Sequence, residues 1–185
     1  MNIVIDISNV YLNGIFIFDK RKNVIIDGYF SRLVYSTSHF VMNGLYIKCQ
    51  LYKAQENIHS GLIRHSNSYP HLPTSNSYTH LSTFSLSDFS PDTFRSTESF
   101  DLKNPHNLTQ VTTLSSIEEY ILQQYKDTKT QNKVCVYNLR NQLYGGCLKI
   151  NGNPTKNDSI KFILKISGIW ETDTSIGITF KLQLY

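Results

Sequence analysis

The residues that could do chemistry in this chain fall into three sets: scattered histidines and carboxylates, a Trp-Glu pair, and basic residues interleaved with tyrosines. His59, His65, His71 and His80 are spaced by six, six and nine residues. A zinc site needs ligands held in a fixed frame, and a Ser/Pro-rich stretch supplies none, so these four read as polar loop residues. His39, beside Phe40, reads as a turn or surface residue rather than a general base. Asp6, Asp19 and Asp27 sit near strand ends, where turn and capping roles are the default. The chain has no Gly-rich phosphate loop, no H-E-x-x-H, no Cys/His ligand spacing and no G-x-S-x-G elbow. It therefore reads as a non-enzyme with no catalytic residues, no metal site and no cofactor. Trp170-Glu171 near a hairpin tip could hold a ligand, but a packing anchor with an exposed neighbour is the plainer reading.

The third set is more informative. Arg32, Lys48, Lys53, Arg140, Lys149, Lys161, Lys165 and Lys181 fall on expected strands or their ends, among Tyr29, Tyr35, Tyr46, Tyr52, Tyr137 and Trp170. A sheet that offers cations to phosphates and ring faces to bases suits single-stranded nucleic acid, because every base has a face to stack on. In that reading Arg32, Lys48, Lys161, Lys165 and Lys181 neutralise phosphates, while Tyr35, Tyr46 and Trp170 stack bases. The structural alternative is plain too: Tyr is an ordinary strand residue and Lys an ordinary edge residue.

The elements that must position these residues are mostly strands. Leu45, Ile47, Cys49 and Leu51 alternate with Tyr46, Lys48, Gln50 and Tyr52, the pattern of a half-buried strand with a basic and aromatic outer face. Ile160, Phe162, Leu164 and Ile166 form one apolar face, and Ile176, Ile178, Phe180, Leu182 and Leu184 the matching face of a returning strand. Ile15–Phe18 reads as a short, fully apolar strand. Asp27-Gly28, Asn43-Gly44 and Asn151-Gly152 mark turns, and Gly28, Gly44 and Gly168 read as backbone-geometry positions rather than ligand contacts. Ser115 with Glu118 and Glu119 predicts one short amphipathic helix ending near Asp127, followed by a strand over 134–140. Residues 57–116 hold 21 Ser or Thr, and residues 56–116 carry a net charge of −2 against +6 on the remainder. A flexible insertion at about 57–100, within a single domain 1–185, is the expectation. The fold class expected is mainly β, an OB-like barrel or an open sandwich of about five to seven strands.

Three stretches carry a family resemblance: Lys22–Ser36, Phe40–Ile47, and Lys161–Thr172 with Ile176–Lys181. They resemble a family of uncharacterised proteins of nucleocytoplasmic large DNA viruses, associated with phage-type single-stranded-DNA-binding proteins of the OB-fold. The order helix, strand and Gln-Leu-x-x-Gly over 117–146 fits the same family. The resemblance implies sequence-tolerant binding of single-stranded DNA in viral replication or repair, with replication proteins or further copies of the chain as partners. It departs at Phe180–Tyr185, apolar and basic where the phage-type proteins carry an acidic tail. The competing class is a structural or interaction protein, such as a minor virion component, with the Ser/Phe-rich middle as a docking segment.

Composition excludes the remaining classes. At 40% hydrophobic and 17% charged residues, the 185-residue chain can bury a core and lacks the high charge of a disordered one. No apolar run nears the roughly 18 residues that suggest a membrane span, and Asp6 interrupts any signal-like N-terminal stretch. Three cysteines without a C-x-x-C pair fit an intracellular, reducing cytosolic or nuclear compartment, which the family resemblance makes the host cytoplasm or nucleus or a viral factory.

Overall fold

The computed structural model describes residues 3–23, 27–54, 95–129, 132–154 and 156–185, over which eleven strands and two α-helices succeed one another. First come β1 (Ile5–Asp6), two 3-10 turns, β2 (Ile15–Ile17), β3 (Arg21–Lys22), β4 (Tyr29–Ser36), β5 (Val41–Asn43) and β6 (Leu45–Tyr52). Then follow β7 (Arg95–Ser99), α1 (Pro105–Lys129), β8 (Val134–Val136), α2 (Asn138–Tyr144), β9 (Cys147–Asn151), β10 (Ser159–Glu171) and β11 (Ser175–Leu184). The fold is mainly β, as expected from the alternating patterns. Its strands outnumber the expected five to seven because β1, β2, β3, β5 and β8 are pieces of two or three residues. The sheet is open, in the order β1-β6-β10-β11-β9-β7, with β4 attached to β10 and carrying β2, β3 and β5.

Strand β10 is the keystone. One edge pairs antiparallel with β11 along nearly its whole length. The other edge is shared: Ser159–Ile166 pair with β6 and Gly168–Glu171 with β4. The changeover falls at an irregularity between Ile166 and Gly168, where an extra residue bends the strand and re-aims it. Two glycines allow the close approach. A Cβ on Gly44 (φ 88°) would stand 2.7 Å from the Ile166 carbonyl oxygen, and one on Gly28 (φ 147°) only 2.2 Å from that of Glu171. Any side chain there collides with the keystone's backbone and strains its own.

The apolar faces predicted for β6, β10 and β11 meet in the core. Leu45, Ile47, Leu51, Ile160, Phe162, Leu164 and Ile166 are fully buried, and α1 adds Val111, Leu114, Ile121 and Leu122 from the other layer. Opposite the helices, the alternate residues of the same strands face outward.

The helical parts depart from the sequence reading. Helix α1 has 25 residues and starts at Pro105, not at Ser115. Asn104 Oδ1 accepts the His106 N–H at 3.0 Å, and Pro105 stands at the first helical position, where its missing N–H costs nothing. The first turns were obscured by Thr109, Thr112, Thr113, Ser115 and Ser116, poor helix formers whose hydroxyls donate back to the carbonyl four residues earlier. The expected strand over 134–140 ends at Val136, and α2 takes its place. Glu118 explains the switch: its carboxyl accepts the Leu139 and Arg140 N–H groups, at 3.2 and 2.8 Å, capping α2 from the neighbouring helix. The expected insertion falls outside the described residues up to 94. From Arg95 onward it is ordered: β7 pairs antiparallel with β9.

Beyond Lys48 no strand among the described residues lies beside the outer edge of β6. Helix α1 supplies side-chain amides instead. The Gln50 N–H donates to Gln110 Oε1 (3.1 Å) and the Tyr52 N–H to Asn107 Oδ1 (2.8 Å). Asn107 Nδ2 donates in turn to the Tyr52 and Asp101 carbonyls.

Candidate nucleic-acid interface

Register brings most of the predicted site residues onto one surface. Side chains of directly paired residues share a face. Lys165 pairs with Tyr46 on one side and Lys181 on the other, forming a rung Tyr46–Lys165–Lys181 across β6, β10 and β11. The next rungs are Lys48–Ile163–Gln183 and Gln50–Lys161. In the other direction, past the irregularity, lie Arg32 opposite Gly168 and Phe30 opposite Trp170. All stand on the face turned away from the two helices. Lys149 of β9, exposed between buried Leu148 and Ile150, continues it.

Four lysines away from this face are in ion pairs, while other cations away from it, such as Lys103, Lys126 and Arg140, are in none among the described residues. Lys20 and Lys133 bind Glu171, Lys53 binds Glu98, and Lys129 binds Asp19. Among the described residues none of Arg32, Lys48, Lys161, Lys165 or Lys181 is in an ion pair. Among the described residues the acid on this face is Asp6, in register with Lys48 at its margin. Lysine and tyrosine contact each other instead: Lys165 Nζ lies 5.2 Å from the Tyr46 ring centroid and Lys48 Nζ 5.7 Å from that of Tyr185. Such contacts at exposed sites are worth about 0.5–1 kcal/mol, less than the roughly 1–3 kcal/mol of a base stacked on an aromatic ring. A planar ring stacked on Tyr46 would therefore outweigh the lysine contact and leave the ammonium free for an anion.

Trp170 is half-buried and lies against the sheet. A Cβ on Gly177 would come within 2.4 Å of its ring, so the glycine lets the indole rest on β11. Phe30 uses Gly168 in the same way, at 2.5 Å. Tyr35 corrects the sequence reading. It belongs to the inward set of β4, is 1% exposed, and its hydroxyl accepts the Tyr11 N–H at 2.9 Å, so it offers no ring to a base. The sequence reading also passed over Phe16, Phe18, Arg21 and Phe30, which share the outer face of the β2–β4 region. Ile15–Phe18 looked wholly apolar, yet Ile15 is buried while Phe16 and Phe18 are 53% and 56% exposed. The available signal was the alternation of isoleucine with phenylalanine.

Glu171, the other candidate, points inward. Its Oε1 accepts Lys133 Nζ (2.7 Å) and Lys20 Nζ (2.9 Å), and its Oε2 the Tyr125 hydroxyl (2.6 Å), which also contacts Ser31. Burial alone would raise this carboxyl, but the hydrogen bonds from Lys133, Tyr125 and Lys20 outweigh it and hold it down to about 2. Tyr125 is pushed up to about 12 by burial and by the carboxylate beside it. The cluster is closed and saturated, a brace between β10, α1 and the β2–β3 and β8 ends. Among the described residues no group of three or more His, Cys, Asp or Glu could hold a metal ion, and no helix is long and apolar enough to cross a membrane. In comparisons with protein-family models, curated proteins and solved structures, none matched the chain.

Proposed function

We propose that the chain binds single-stranded DNA with little sequence preference, using the outer face of β4, β6, β10 and β11. The supporting observation is that five cations share that face without ion-pair partners among the described residues, interleaved with Tyr46 and Trp170. Arg32, Lys48, Lys161, Lys165 and Lys181 contact phosphates, and Tyr46 and Trp170 stack bases. The setting in viral DNA replication or repair is what the family resemblance implies.

The test is fluorescence anisotropy of labelled oligo-dT, roughly 30 nucleotides long, between about 50 and 200 mM salt. Five phosphate contacts on a single strand give a slope of log K against log salt near −3.5, about a hundredfold loss over that range. Lys161→Ala/Lys165→Ala should make the slope shallower by about 1.4. A folded sample that binds no oligonucleotide at low salt sinks the reading. One observation favours a second reading, a protein-interaction role without nucleic acid: Phe16, Phe18 and Val41 are exposed together at the β2–β5 end. Salt-indifferent self-association or association with a virion component would then be the finding.

A further inference from the structure

The outer face does not end at the lysine rungs. Arg21 pairs with Phe30 across β3 and β4, and Phe30 with Trp170 across β4 and β10, so Arg21–Phe30–Trp170–Gly177 is one rung over four strands. In the next, the Phe18 N–H donates to the Arg32 carbonyl and Arg32 faces Gly168. Phe16 opposes Val34 one step further on. These rungs carry no acidic residue, and neither Arg21 nor Arg32 is in an ion pair among the described residues. Exposed phenylalanines in an aqueous surface normally bring a desolvation gain to some partner. A partner protein with an apolar surface would leave two guanidinium groups facing it unpaired, at a cost. A polyanion whose planar apolar groups alternate with its charges satisfies both residue types at once.

We propose that Phe16, Phe18 and Phe30, with Arg21 and Arg32 between them, form a second stacking surface for unpaired nucleobases, continuous with the lysine rungs. The proposal rests on the reading of the lysine half as a single-strand site. Bases lie against the rings as the strand leaves Trp170, and the two arginines meet the phosphates between them. Alternate residues along a strand are about 6.7 Å apart, and successive rungs set rings beside cations: Arg21 with Phe30 and Trp170, then Phe18 with Arg32, then Phe16.

The experiment separates stacking from charge. Affinities for oligo-dT and for an abasic deoxyribose-phosphate oligomer of equal length are measured at fixed salt, in the full chain and in Phe16→Ala/Phe18→Ala. The full chain should prefer oligo-dT. The double variant should lose at least tenfold of that preference and keep its salt slope, since no cation has been removed. Phe16→Leu/Phe18→Leu, which retains apolar volume but no ring, guards against a folding defect and should lose a similar factor. An unchanged preference in both variants overturns the second surface while leaving the lysine half standing. A preference kept alongside a change from oligomer to monomer, read by sedimentation, reassigns the phenylalanines to self-association. If the full chain binds neither oligomer, the underlying reading fails as well, and that result is distinct from the others.

Discussion

Glu171 and Glu118 are both carboxylates removed from water, and their surroundings drive them in opposite directions. Glu171 has two ammonium groups and a phenol, enough to offset the burial of its charge and hold it at about 2. Glu118 has two N–H groups of α2 and the more distant Arg140 charge, and burial pushes it up to about 7. Removing the charge of Glu171 leaves Lys20 and Lys133 facing a neutral amide. Truncating one partner of a buried pair typically costs about 3–5 kcal/mol. Both lysines are partly exposed, at 39% and 21%, and can rehydrate, which favours the lower end. Glu171→Gln should therefore lower the unfolding free energy by about 3 kcal/mol at pH 7, read from the urea midpoint. A change under 1 kcal/mol would mean that the brace contributes little.

At the scale of elements, the edge of β6 shows how a helix can stand in for a strand. Asn107→Ala removes the acceptor for the Tyr52 N–H and the donors to two carbonyls at the C-terminal end of β6, where Asn107 itself is buried. Unsatisfied buried groups cost about 1–3 kcal/mol, and hydrogen exchange should report the loss as faster exchange at Tyr52 than at Ile47. Equal protection at both would show that water replaces the amide without penalty. None of this was legible in the sequence, where Asn107 and Gln110 lay in a stretch that resembled loop. By contrast, β6, β10 and β11 could be read residue by residue, since a period of two with one buried face leaves no freedom of register. That is also why Tyr46, Lys48, Lys161, Lys165 and Lys181 were correctly placed on an outward face. Tyr35 misled because β4 has buried residues on both faces, Val34 as well as Leu33 and Tyr35, so alternation did not reveal its inward side. Helix α2 misled because its cap comes from Glu118, a contact across space that no local pattern announces.

For the whole molecule, the two carboxylates shape stability in acid and neutral solution. The folded value of Glu171 lies below its ordinary 4.5, so its contribution is complete above that pH and is lost as pH falls towards 2. Glu118 lies above 4.5, so the folded state holds the extra proton and stability falls as pH rises from 4.5 to 7. At about 1.4 kcal/mol per unit, each effect is on the order of 3 kcal/mol. From these two groups, Tm should peak near pH 4.5, and Glu118→Gln should flatten the limb above it. A limb that stays equally steep in that variant would assign the titration elsewhere. The placement of β10 has another consequence, in the order of synthesis. Strands β4 and β6 leave the ribosome well over a hundred residues before the strand that joins them. At about 5–20 residues per second, their apolar faces and open edges wait roughly 6–24 s for the keystone. The nascent chain must be shielded through that interval, so yield in the cell should depend on chaperone supply far more than the stability of the finished fold would suggest.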